Sequence, residues 1–337
     1  MDSDGLDRRH FLAVSGVGAL AATAGCLGFF DDGNGDLPDY GQYIAAEDDE
    51  VFFAYADFEG LDELDDEDEE AEDGDFGDFE EPLLAAPIGG VILLGFGAAF
   101  TLAPAGLEDL LEDEEDSDLE TQADQLLLAN DVVVVAGDID TAEIEETLTD
   151  APEDEFFAVQ YEESDEVDGY TWFTPVDEGS ESVFAVGEDE ILAGEERDSV
   201  ETIIEAIDGD GRAAGEFEEF EWLFQRAGDG LISIGGYGPD GFDTTDEQEQ
   251  GEEIDPEDEF EEIDEADGVV SSLSFTDDEV TATLAASFGE LDDDDRGEVE
   301  AELESDRTEV SIEFDDGRVT AEATYREEDL DELPDHE

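Results

Sequence analysis

The sequence predicts an α+β fold, a mostly antiparallel β-sheet with flanking helices, and three observations carry that prediction. Apolar residues alternate with polar ones over Leu273–Phe275, Val280–Phe288, Val310–Phe314 and Val319–Tyr325, and Asp315-Asp316-Gly317 separates the last two runs. Period-two alternation around Asp-Gly is the pattern of hairpins with one buried face. Val200, Ile203, Ile204 and Ile207 recur at i, i+3, i+4 and i+7, one face of a helix. Although 36% of residues are charged, 39% are hydrophobic, with 22 Phe, so the chain has the material for a core that a disordered acidic chain lacks.

The chain opens on Arg8-Arg9, then Phe11-Leu12, then an apolar, small-residue run that stops at Cys26. As a helix, Phe11 to Gly25 reaches about 22 Å, short of the roughly 30 Å hydrocarbon core, so it reads as a removable segment and not a span. The paired arginines with the aromatic and leucine resemble the twin-arginine export signal, with Asp7 where that signal usually has serine or threonine. Cys26, the single cysteine of the chain, cannot form an intramolecular disulfide. Its place behind small residues resembles the lipobox of exported lipoproteins, which implies lipidation at Cys26. The expected organisation is a signal over 1–26, an acidic tether over 27–46 and an α+β domain over 47–242. An acidic linker or insertion at 243–267, a hairpin–helix–hairpin part at 268–328 in the same folded unit, and a tail at 329–337 complete it.

The balance of 111 Asp plus Glu against 9 Lys plus Arg gives a net charge of −102, and every basic residue is an arginine. That field speaks against both nucleic acid and an anionic lipid surface as partners. It suits multimolar salt, where the Debye length falls to about 3 Å or less and carboxylates no longer repel at range. Absent lysine, extreme acidity and the export signal together resemble twin-arginine-exported lipoproteins of halophilic archaea. The resemblance implies a protein held at the extracytoplasmic face of the cell membrane by its lipid, with the export machinery and the membrane as partners.

Within the body, Val51–Asp57 reads as a strand and Leu61 and Leu64 as a short helix, followed by an acidic insertion at 62–81. Pro82 to Leu107 is 26 residues without a charge. An apolar helix, or a helical hairpin broken at Gly95-Phe96-Gly97, buried against the sheet is the first reading; an element that meets the membrane interface or covers an apolar ligand cavity is the second, and a membrane crossing the third. Leu93, Leu94, Phe96 and Phe100 are the residues expected to touch lipid or apolar ligand. Glu120–Asn130 is predicted helical, with Leu119, Ala123, Leu126 and Leu127 on one face, and Val132–Ala136 a strand buried on both faces. Asp140 with Glu143, and Asp198 with Glu201, predict capping boxes. Val51–Asp57 and Val132–Asp138, each a strand ending in acid before a short helix, suggest an internal duplication.

Further strands are predicted at Phe156–Tyr161, Tyr170–Pro175, Val183–Val186, Ile191–Ala193 and Leu231–Ile234, the last ended by Gly235-Gly236. Phe217, Phe220, Leu223 and Phe224 form a second helical face, with Trp222 at its boundary. The run of strands and helices from Val51 to Gly236 also resembles certain envelope proteins of actinobacteria and haloarchaea, a resemblance that imports no activity. Histidine occurs only as His10 and His336, which removes most general-base, triad and metal-ligand schemes. No catalytic residue, metal site or cofactor is therefore expected, and the function expected is non-catalytic binding or envelope scaffolding. A carboxylate-dependent hydrolase and a solute-binding receptor are the alternatives. Arg197, Arg212, Arg226, Arg296, Arg307, Arg318 and Arg326 are expected at helix ends and turns as local counter-ions.

Overall fold

A computed structural model describes residues 37–46, 50–65, 81–111, 117, 119, 121–149, 159–176, 182–238, 266–276, 279–289, 291–305 and 308–326. The export signal, Cys26, Arg307, the acidic tracts at 66–80 and 239–265, and both histidines lie outside them. Among the described residues, twelve strands form one sheet in the order β11-β12-β10-β9-β8-β1-β2-β3-β7-β6-β5-β4, every neighbouring pair antiparallel. The strands are β1 Val51–Asp57, β2 Gln125–Ala129, β3 Val132–Ala136, β4 Tyr161–Val167, β5 Tyr170–Pro175, β6 Val183–Val186, β7 Glu190–Gly194, β8 Ile232–Tyr237, β9 Gly268–Phe275, β10 Glu279–Ser287, β11 Val310–Asp315 and β12 Arg318–Arg326. The pairing of β8 with β9 carries the sheet across the acidic segment before residue 266, so the C-terminal hairpins belong to the same sheet.

Helices cover both faces. On one side lie α1 (Phe58–Asp65), α2 (Pro82–Leu102), α3 (Thr141–Thr149) and α7 (Asp293–Leu303), whose inward residues Leu61, Leu94, Ile144 and Val299 share a core with Ala54, Val133 and Leu284. On the other lie a short 3₁₀ turn at Asp39–Tyr43, α4 (Arg197–Asp208), α5 (Ala213–Glu216) and α6 (Glu218–Ala227). Their Tyr40, Val200 and Phe224 pack with Phe53, Val134 and Leu192. Consecutive residues of β1 and β3 thus enter opposite cores, as a strand buried on both faces requires. β1 and β3 flank β2, run in the same direction and each lead to a short helix, α1 and α3.

Several expectations are corrected. Residues 125–129 are strand and not helix: Leu126 and Leu127 face opposite cores, and Asn130, at φ 50°, turns the chain directly into β3. β8 runs through Gly235 and Gly236 to Tyr237, and a Cβ at Gly235 would lie 2.5 Å from the Phe53 ring, so the glycine admits that ring and does not end the strand. The second half of the tether is packed. Tyr40 stacks on Tyr55 at 3.7 Å, donates its hydroxyl to Gly228 O at 2.6 Å, and is buried along with Tyr43 and Ile44.

Neither predicted capping box forms as drawn. Asp140 Oδ1 does accept the Ala142 and Glu143 amides, but Glu143 Oε2 accepts Thr121 N–H while Asp140 N–H goes to Thr121 Oγ1. Glu196, without a side-chain cap, precedes α4, and Arg197 Nε binds Glu201 Oε1 at 2.7 Å. A reciprocal box stands instead at α7, where Asp292 and Asp295 each accept the other's amide. The strand expected from Phe156 begins at Tyr161 among the described residues. As the sheet edge, β4 presents exposed Glu162, Glu163, Asp165 and Glu166, charges that oppose pairing with another chain.

Candidate functional site: the outer face of the uncharged helix

The uncharged segment folds as one continuous helix through Pro87 and Gly95–Gly97, so no hairpin interrupts it. Pro82 at its first position needs no hydrogen-bonded amide, and Glu81 O accepts the Leu84 and Ala85 amides. Glu81 is 3% exposed, its carboxylate accepts Ser305 Oγ–H at 2.6 Å, and it lies against the buried Tyr325 hydroxyl. A buried carboxylate at a helix N-terminus is favoured by the helix dipole. Here it also ties α2 to the segment after α7 and to the end of β12. At the other end Gly106, at φ 71°, turns the chain and Leu107 N–H bonds back to Leu102 O.

Leu83, Leu84, Ile88, Val91, Leu94, Ala98 and Leu102 enter the core, and a Cβ on Gly90 would lie 2.8 Å from Ile234 Cβ, so the helix sits close on β8. The opposite stripe faces out. Leu93 is 37%, Phe96 60% and Phe100 77% exposed, with Gly89 and Ala99 exposed beside them. Residues 89, 93, 96 and 100 follow the i, i+4, i+7, i+11 spacing of one helix face. Three of the four residues singled out from the sequence therefore stand outward together, and the fourth is corrected. Leu94 is fully buried, one position and roughly 100° round the helix from Leu93, and does not reach a partner.

The described arginines do not converge on an anion site. Arg197 lies over the Trp172 ring at 4.2 Å and pairs with Glu201, and Arg318 makes two bonds to Glu219 while covering Trp222 at 4.7 Å. Arg212 donates to Ala206 O and Ile207 O, the last carbonyls of α4. All three sit on the side away from α2. Among the described residues no group of three or more His, Cys, Asp or Glu is arranged to hold a metal ion.

Sequence reasoning missed the polar links across the sheet. Tyr170 and Tyr43 both donate to the Glu190 carboxylate, the latter at 3.4 Å. These partners are 20 and 147 residues apart, and Glu81–Ser305 are 224 apart, so no local spacing signals them. Burial pushes the hydroxyls of Tyr40, Tyr43, Tyr55, Tyr170 and Tyr325 above their ordinary value, with nearby carboxylates adding at all five. Unfolding frees them to titrate near pH 10. Their contribution to stability is therefore complete below about pH 10 and declines as pH rises above it. Alkaline titration in brine is expected to show tyrosinate absorbance and loss of circular dichroism rising together. Tyrosinate formation at the ordinary value with the spectrum unchanged would contradict the burial of these rings.

The fold and the site define an acidic α+β protein whose one large antiparallel sheet carries an uncharged helix with a solvent-facing apolar stripe. No family model matches the chain, and no curated protein matches it. Among solved structures it is similar to crystal forms I, III and IV of TP0453, each at 10% identity, with TM-scores of 0.42, 0.41 and 0.42. Each match covers 88% of this chain and 95 or 96% of the other.

Proposed function

We propose that this protein is a non-catalytic lipoprotein of the extracytoplasmic membrane face, held there by a lipid on Cys26 and by the outer stripe of α2 resting in the lipid interface. The observation that carries the reading is the outward row Leu93, Phe96 and Phe100 on a helix with no charge between Pro82 and Leu107, in a chain more than a third charged. Water-exposed phenylalanines in such a row are the signature of an interaction surface. The lipid interface fits them because that surface is broad and apolar, as the stripe is. α2 is long and apolar enough to cross a membrane, but its other face is packed on the sheet, so it would lie in the interface plane.

Magnitudes favour two contacts over one. A single acyl chain holds a protein only marginally and reversibly. Removing most of Phe96, Phe100 and Leu93 from water contributes on the order of 3–5 kcal/mol before ordering costs, and tethering makes the second contact intramolecular. Reach is sufficient. Tyr40 stacks on Tyr55 near the C-terminal end of β1, so the packed chain starts there, on the sheet face opposite α2. From Cys26 to Leu37 an extended chain covers up to about 35 Å, against roughly 20 Å for the two layer spacings between that face and α2.

Flotation with vesicles in multimolar KCl tests the contact. The full chain carrying Cys26→Ser, so that no lipid is attached, is expected to partition about tenfold or more better than the same chain with Phe96→Asp and Phe100→Asp added. Equal partition of the two would defeat the reading.

A further inference from the structure

We propose that contact of α2 with lipid is gated by ionic strength and by headgroup charge: in the folded protein the stripe accepts a neutral surface at any salt concentration, and an anionic surface only in brine. The inference rests on the membrane reading above and adds what controls it. Among the described side chains, α1, α3 and α7, the helices that share the sheet face with α2, carry eight carboxylates against one basic residue, Arg296. Glu59, Glu146, Glu298 and Glu300 among them are exposed, and Glu108 and Asp109 stand half-exposed just beyond the end of α2. Arg197, Arg212, Arg226 and Arg318 all lie with the helices of the opposite layer. An uncharged stripe is thus framed by carboxylates on the side it must present, and the compensating arginines are elsewhere.

The physics of the frame follows from screening. At about 0.1 M salt the Debye length is about 10 Å, the scale that separates one helix from its neighbour, so every framing carboxylate feels an anionic headgroup under the stripe. At 1 M and above it is about 3 Å, and the repulsion is confined to direct contact. Apolar contact moves the other way only weakly, since strongly hydrated salts strengthen it modestly. Headgroup charge therefore decides the low-salt behaviour, and apolar contact the behaviour in brine.

The test is flotation of the full chain with Cys26→Ser on phosphatidylcholine and on phosphatidylglycerol vesicles between about 0.2 and 3 M KCl. Trimethylamine N-oxide is added at every salt concentration to hold the fold, and circular dichroism is recorded on each sample. Partition on phosphatidylglycerol is expected to fall about tenfold or more on dilution, and on phosphatidylcholine by less than about threefold. A chain with Glu146, Glu298 and Glu300 changed to Gln is expected to narrow the difference, and can be compared with its parent at one salt concentration where both are native. Parallel loss on both vesicle types, or no effect of the three Glu→Gln changes, overturns the gate while leaving the contact. Partition on neither vesicle in brine, or partition indifferent to Phe96→Asp/Phe100→Asp, overturns the contact and the gate with it.

Discussion

Diluting the protein from multimolar KCl into low salt is expected to unfold it, with the sheet signal in circular dichroism kept above about 2 M and lost below about 0.5 M. The cause is self-repulsion at a net charge of −102 that the fold does little to offset. The ion pairs of Arg197 with Glu201 and Asp165, of Arg318 with Glu219 and of Arg326 with Glu279 are all partly exposed, where a pair contributes about 1 kcal/mol or less. Strand β4 alone sets Glu162, Glu163, Asp165 and Glu166 within seven residues, and an unfolded chain relieves such crowding by expanding. Acidifying the low-salt sample toward about pH 4.5 should restore part of the spectrum, because protonation removes the same repulsion that salt screens. A native spectrum at low salt and neutral pH would show that the acidity is not tied to brine.

Leu94→Ala is expected to be among the most costly single substitutions in α2 and Phe100→Ala nearly silent, although both delete a large apolar side chain from the same helix. Leu94 is fully buried in the core beneath α2, so its truncation leaves a cavity at a cost of about 2–5 kcal/mol. Phe100 is 77% exposed and its truncation should stay within about 0.5 kcal/mol. In thermal melts in brine the first corresponds to a fall of roughly 5–15 °C and the second to 2 °C or less. Vesicle partition should rank them the other way, with Leu94→Ala close to the parent and Phe100→Ala impaired. If Phe100→Ala proved the destabilising change, α2 would be seated on the sheet by the wrong face and the proposed contact would go with it.

Much of the fold was legible because the sheet's own period is local. β5 and β6 fall on the boundaries that alternation predicts, and the last hairpin, β11–β12, follows from Asp316 and Gly317 adopting the positive φ that a two-residue turn needs. β2 was misread because Leu119, Ala123, Leu126 and Leu127 match a helical face by coincidence. A short apolar run is ambiguous until its neighbours are known, and here β1 and β3 supply the pairing on either side. Asn130-Asp131 between two apolar runs was the hairpin signal available. Gly235 was read as a strand end for want of Phe53, whose ring needs the space and sits 182 residues earlier. The box expected at Asp198 does not form because the helix starts at Arg197, which leaves Glu196 as the cap and Asp198 inside the first turn, while Glu201 pairs with Arg197.

By itself the sequence determined the charge, the class of fold and the existence of one uncharged stretch, since composition and periodicity are properties of the chain alone. Only the tertiary structure decided which side of that stretch is free. Pro82–Leu102 is apolar all round, so its pattern holds no preferred face. It took the sheet, with Ile234 closing on Gly90 and Leu94 driven into the core, to leave Leu93, Phe96 and Phe100 facing out.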